Sequence, residues 1–237
     1  MLFPQAGCAT DLARVFTVAI INVLFHMLPK SCNLAAVPIQ GLAERERRFF
    51  ASFMPDAVMA IVMAHHVMTE EEWTWYSTAS SGDRCDADDH LRILCEAIRD
   101  QLVKEGFRSQ LVKYPGESGL QFRFVAEAAG LGKIGTNAFL FHPEWGPWAH
   151  LRVMATTAKL DLRSELSGDQ FCDACGLCIS ECPACAISQN TFQGLQCRSY
   201  RKAKGEYEPR GPEGLLPYCL RCVWVCPKGK QPTPCVR

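Results

Sequence analysis

Five cysteines fall within residues 171–187, FCDACGLCISECPACAI, and four of them are spaced Cys172-x2-Cys175-x2-Cys178-x3-Cys182, with Pro183 following. Thiolates are soft ligands. At this spacing three of them hold three corners of one [4Fe-4S] cluster while the fourth reaches a second cluster. Two-residue gaps let a tight loop wrap the three corners, and the proline ends the loop and turns the fourth thiolate away. A second run, Cys219-x2-Cys222-x3-Cys226-Pro227, repeats the pattern in shortened form. Reciprocity assigns Cys226 to the first cluster with Cys172, Cys175 and Cys178, and leaves Cys182, Cys219 and Cys222 to the second. The second set is one ligand short. A full run would supply it at position 216, which is Leu216, so Cys185, Cys197 and Cys235 are the candidates. Zinc on two C-x2-C pairs is the alternative, but it explains neither the three-cysteine run nor the repeated Cys-Pro.

The chain has fourteen cysteines: Cys8, Cys32, Cys85 and Cys95 are scattered, and ten lie between Cys172 and Cys235. That asymmetry points to metal in a reducing compartment, hence the cytoplasm, and argues against a disulfide framework. Lysine plus arginine and aspartate plus glutamate number 25 each, so no global field attracts nucleic acid or an anionic membrane. With 237 residues, 48% of them hydrophobic, the chain can bury a sizeable core in one large or two small domains. The run VFTVAIINVLFHML, residues 15–28, is shorter than the roughly 20 residues that cross a bilayer. It contains Thr17, Asn22 and His26, so it is expected to be a buried amphipathic helix, with no membrane partner.

The elements that must position the cysteines lie upstream. LAERERRFF suits a solvated helix surface, and DAVMAIVMAHHV, residues 56–67, reads as a strand buried on both faces. Residues 88–105 carry Leu91, Leu94, Cys95, Ile98 and Leu102 at helical spacing, with aspartates at the start and Gly106 at the stop. FRSQLVKY alternates as a half-buried strand, LQFRFVAEAAGLG reads as a helix closed by glycine, and residues 136–160 predict two strands around a turn at HPEWGP. The expected class is α+β. An N-terminal helical segment (1–33) precedes a mixed α/β domain (34–165), and a small bacterial-ferredoxin-like double [4Fe-4S] domain (166–237) follows the linker DLRSELSGDQ. That last part has little hydrophobic periodicity and must be held together by what it binds.

AEAAGLGKIGTNAFLFHPEWGPWAHLRVMATTAKL, residues 126–160, followed by the two cysteine runs, resembles the epoxyqueuosine reductases and the related reductive dehalogenases. The matching positions are Ala129, Gly130, Leu131, Gly132, Ile134, Gly135 and Asn137, then Pro143, Glu144, Gly146 and Pro147, and more loosely Arg152 and Thr157. The glycines follow a helix instead of a strand, which sets them apart from a dinucleotide fingerprint. The resemblance implies that Cys197, in QCRSY, is the missing ligand of the second cluster, with Cys185 and Cys235 as spare thiols. It also implies a cobalamin between the two domains, receiving electrons from the clusters. Gly130, Gly132, Gly135 and Asn137 would let the backbone approach the corrin, and His90, in a segment similar to D-Y-H, would face the cofactor.

The family's proton-donating aspartate has no counterpart here. Glu117, one residue out of register, is the candidate catalytic acid, and Tyr114 is a second candidate for a catalytic role. His65 and His66 end a strand and are candidates to face a cofactor, while Trp145 and Trp148 read as turn or core packing. RKAKGEYEPRG reads as a solvated loop, or as a docking surface for a redox partner. Neutral charge, and no helical-repeat extension after the clusters in the sequence given, argue against tRNA as substrate. The function expected is an iron-sulfur oxidoreductase that takes electrons from a partner protein and passes them to cobalamin or a small-molecule substrate. The alternative is a ferredoxin-like electron carrier without its own catalytic site.

Overall fold

The computed structural model describes residues 28–78, 82–162, 168–229 and 231–234. The expected N-terminal helix, all but its last residue, lies outside them, as do Cys8 and Cys235.

Strands β1 (Cys32–Pro38), β2 (Met59–His66), β5 (Ser109–Leu111) and β8 (Ala149–Thr156) form one sheet in the order β1-β2-β8-β5. Every pairing in it is antiparallel. In the central pair Ile61 faces Met154, Met63 faces Arg152, and His65 faces His150. Helix α1 (Glu44–Phe53), α2 (Asp86–Lys104), the one-turn α3 (Pro115–Ser118) and α4 (Phe122–Ala128) surround the sheet.

The continuous apolar run of β2 is explained by cover on both faces. Ile61, Met63 and Met154 pack on Leu91, Cys95, Ile98 and Leu102 of α2. Ala60, Val62, Ala64 and Val153 pack on Phe50 of α1 and on Val125 and Ala126 of α4. Burying each large aliphatic side chain contributes about 1.5–3 kcal/mol, so the α2 stripe alone fixes that helix to the sheet. Asp86, Asp88 and Asp89 in its first turn favour the positive helix end. At the other end, Phe107 N–H donates to Leu102 O at 2.9 Å and closes the last turn.

Two expected elements differ. The strand over FRSQLVKY is only three residues long. The strands flanking HPEWGP exist but do not pair with each other: β7 (Leu140–Phe141) pairs with β6 (Lys133–Ile134), and β8 enters the large sheet. His142 and Gly146 exchange backbone hydrogen bonds of 2.8 Å, so the turn closes on itself and frees the following strand to pair elsewhere.

Short helices α5 (Leu177–Ser180), α6 (Gly194–Ala203) and α7 (Arg221–Trp224) carry the cysteine-rich region. Strand β9 (Leu215–Leu216) leaves that region to pair with β3 (Trp75–Thr78), which also pairs with β4 (Gly82–Arg84). A further bridge joins Thr69 to Thr233. Backbone pairing therefore crosses the expected domain boundary.

Candidate functional site

Cys172, Cys175 and Cys178 line one cavity together with Cys226, and Thr136, Asn137, Phe141 and Lys228 complete its wall. Thr136 directs its hydroxyl (3.4 Å) and its N–H (3.5 Å) at Cys172 Sγ. Burial would raise this thiol, but those hydrogen bonds outweigh it and hold Cys172 below the ordinary thiol value. Cys178 is pushed up, first by burial and then by the charges of Cys172 and Cys175, with Cys226 adding to them.

A second group forms around Cys222, which burial and then Cys219, Cys197 and Cys182 push up to about 12. Cys197, on α6, is raised by burial and feels Cys182 and Cys219. Ala186 N–H donates to Cys182 Sγ at 3.3 Å. Glu206 Oε2 accepts from Cys219 N–H at 2.8 Å and from Arg201 Nε at 3.1 Å, which anchors the start of the second run. Cys185 is exposed, in a left-handed conformation with φ of 49°. The described cysteines are all free thiols.

A cavity of about 170 Å³ opens between the two parts of the chain. Its wall includes Trp73, Tyr114, Arg123, Asn137 and His150 from the N-terminal part and Phe192 from the cysteine-rich part. Trp73 Nε1 donates to His150 Nδ1 at 2.9 Å. An indole N–H can only donate, so His150 carries its proton on Nε2 and donates it to Asp88 Oδ1 at 2.9 Å. Arg152 Nε donates to the same oxygen at 2.7 Å, and its terminal nitrogen pairs with Oδ2. Burial would raise the Asp88 carboxyl, but these donors outweigh it and hold it below the usual range. Tyr114 stacks on His150 at 5.6 Å with rings 5° apart, and burial raises its phenol. Arg123 Nε is buried with no hydrogen-bond partner among the described residues, and burial lowers that guanidinium's pKa.

Several expected residues sit elsewhere. Glu117 is exposed and paired with Lys113 at 3.5 Å, outside the cavity wall, because α3 turns only Pro115 inward. As a catalytic acid it is therefore misplaced. The close approach made possible at Gly132 and Gly135 is to Phe141, and at Gly135 also to Cys172; a side chain at either would enter the Phe141 backbone or ring. Gly130 ends α4 at a φ of 84° with open space beside it. Asn137 is buried, lines both cavities, and donates from Nδ2 to Cys222 O at 3.1 Å. His90 is exposed and lies beside His65, ring to ring at 6.0 Å, away from this cavity. His66 stacks on Trp145, and Trp148 is fully buried against Trp224, so both tryptophans are packing residues.

The sequence reading missed Asp88, His150 and Trp73 as a network. A signal was present: in AHLRVMAT, His150 and Arg152 alternate with apolar residues on a strand whose other face is buried, so one face of a core strand had to carry polar function.

No protein-family model matches the chain. A curated epoxyqueuosine reductase from Gloeobacter violaceus is 32% identical over 124 residues, which cover 49% of this chain and 38% of that protein. The match thus spans less than half of that relative's length. An epoxyqueuosine reductase solved with an epoxyqueuosine-modified tRNA stem loop superposes at a TM-score of 0.61 and 17% identity, over 92% of this chain and 68% of that one. A catabolic reductive dehalogenase in complex with 3-bromo-4-hydroxybenzoic acid gives a TM-score of 0.56 at 16% identity, covering 91% of this chain and 32% of the other. Sequence similarity and superposition thus agree with the motifs of residues 126–160: over about half its length the chain is similar to the epoxyqueuosine reductases, and its fold is shared with them and with the reductive dehalogenases.

Proposed function

We propose that the protein is an iron-sulfur oxidoreductase. Cys172, Cys175, Cys178 and Cys226 would hold one [4Fe-4S] cluster, and Cys182, Cys197, Cys219 and Cys222 the other, in a ferredoxin-like domain. The donor set fits. Thiols from the two separate runs, Cys172, Cys175 and Cys178 with Cys226, line one cavity, the sharing between runs that a cluster pair of the ferredoxin type uses. When bound, the clusters supply one-electron transfer between a redox partner protein and the cavity.

The observation that carries the reading is Asn137. It forms part of the first cysteine cavity, bonds the backbone of Cys222 in the second set, and lines the cavity behind them. Phe139 N–H donates to its Oδ1 at 3.1 Å, which fixes the amide's orientation. Arg123, whose buried Nε has no hydrogen-bond partner among the described residues, lines the cavity wall, which suits a small anionic substrate oriented against Trp73 and Tyr114. Cobalamin is implied by the resemblance alone, whereas the space of about 170 Å³ beside Arg123, Trp73 and Tyr114 suits a small acceptor. The acceptor proposed is the small substrate itself. Neutral overall charge gives no support for tRNA.

The test is anaerobic reoxidation of dithionite-reduced, desalted protein by a panel of small anionic and neutral acceptors. Arg123→Ala should slow the anionic acceptors by about 10–100-fold, the equivalent of a charged hydrogen bond, with iron content unchanged. Equal rates with and without Arg123, for acceptors of either charge, would leave a ferredoxin-like carrier. Cobalt retained after incubation with hydroxocobalamin would show that the cavity opens to a corrinoid.

A further inference from the structure

Three ligand-type side chains converge outside the cysteine sets and the cavity. His65 ends β2, Glu72 lies in the 3-10 turn Glu71–Trp73 that follows, and His90 lies in the first two turns of α2. One ligand atom from each lies within 4.8 Å of the other two. The His65 side chain is only 6% exposed, and its Nε2 is buried with no hydrogen-bond partner among the described residues. Glu72 Oε1 is the nearby oxygen, at 3.7 Å.

Glu72 also has a local structural role. Its Oε2 accepts from the N–H groups of Met68 (2.6 Å) and Thr69 (3.3 Å), and Thr69 Oγ1 accepts from Glu72 N–H at 3.3 Å. That reciprocal cap holds the carboxylate still. It uses one oxygen and leaves Oε1 aimed at His65. On the imidazole, Nδ1 contacts Cys32 Sγ at 3.5 Å. With Nδ1–H directed at that sulfur, Nε2 presents its lone pair to Glu72 and His90. An outer-shell partner of this kind is how ligating histidines are usually oriented.

We infer that His65, Glu72 and His90 form a binding site for a divalent transition-metal cation of the zinc type, distinct from the cysteine sites. A tetrahedral ion with bonds of about 2.0–2.2 Å needs ligand atoms about 3.3–3.6 Å apart. The His65–Glu72 separation of 3.7 Å is nearly that already. His90 is exposed and can close the remaining gap by a side-chain rotation. Two imidazoles and one carboxylate leave a fourth position open on the His90 side for water or a small anion, the arrangement of a reactive rather than a purely structural site. The nearby Asp88 and Asp89 are committed to His150 and Arg152, and to Arg84 and Arg92, respectively.

The test uses the anaerobically purified, cluster-loaded chain, with iron assayed on the same sample so that vacant cysteines are recognised. Zinc chloride is added, excess is removed, and retained zinc is measured alongside zinc X-ray absorption. The expected result is one retained zinc per chain with a nitrogen and oxygen shell at about 2.0–2.2 Å. Loss of an outer-shell partner alone weakens metal affinity about 10–100-fold, so His90→Ala, at an exposed position, and Glu72→Gln should each weaken retention by at least that much. A zinc-dependent rise in melting temperature should vanish in both variants. Retention equal in wild type and His90→Ala, no retained zinc, or a shell of sulfur alone at about 2.3 Å would overturn the assignment.

Discussion

Asp88 is removed from water by the packing of α2 on the sheet and receives three donors, one from His150 and two from Arg152. Removing one partner of a buried pair leaves the other charge uncompensated. Asp88→Ala should therefore destabilise the protein by about 3–5 kcal/mol in anaerobic chemical denaturation. A loss below about 1 kcal/mol would mean that Arg152 finds another partner. His142 makes a second residue-scale prediction. Burial depresses its pKa from 6.5 to about 3, so below pH 6.5 the unfolded chain binds a proton that the folded chain does not. Its contribution is fully present above pH 6.5 and is lost as pH falls toward 3, at about 1.4 kcal/mol per pH unit. Denaturation between pH 7 and 5 should show this slope, and His142→Gln should flatten it. Roles at this scale were only partly legible. Glu117 was expected to act from its place in sequence, yet a one-turn helix directs it to Lys113 and solvent.

At the scale of elements, the legible pieces were those whose burial is periodic. The stripe Leu91, Cys95, Ile98 and Leu102 marked α2, and the apolar run marked β2. Strand β1, CNLAAVP, gave no such signal, because it is rich in alanine and ends in proline. The β6–β7 hairpin was hidden for a related reason: two-residue strands carry no period, and the pairing depends on Gly132 and Gly135 fitting against Phe141. Gly135→Ala should force the Phe141 ring and the Cys172 loop apart, at about 1–3 kcal/mol, and lower iron content at the first site. Unchanged stability and iron would show that Phe141 moves freely. Helix α6 supplies Cys197, so Cys197→Ser should reduce iron from about eight to about four per chain and leave the first cluster's reduced spectrum intact. Loss of both clusters, or of neither, would contradict the assignment of Cys197.

Over the whole molecule, the grouping of the cysteines was legible because each run is local: thiols two or three residues apart fall on one loop, and Cys172, Cys175 and Cys178 do share one cavity wall. The cavity was not, since Trp73, Tyr114, Arg123, His150 and Phe192 meet only after the sheet is built and β9 pairs with β3 across the two parts. That crossing sheet, with the Thr69–Thr233 bridge, ties the cysteine-rich region to the α/β part and holds Asn137 between both. Among the described residues no helix is long and apolar enough to cross a membrane. The most direct test of the central claim is iron and acid-labile sulfide per chain after strictly anaerobic purification, with zinc measured on the same sample. About eight irons and eight sulfides are expected for two [4Fe-4S] clusters. Absence of labile sulfide with zinc bound through sulfur, or no more than about four irons, would contradict it.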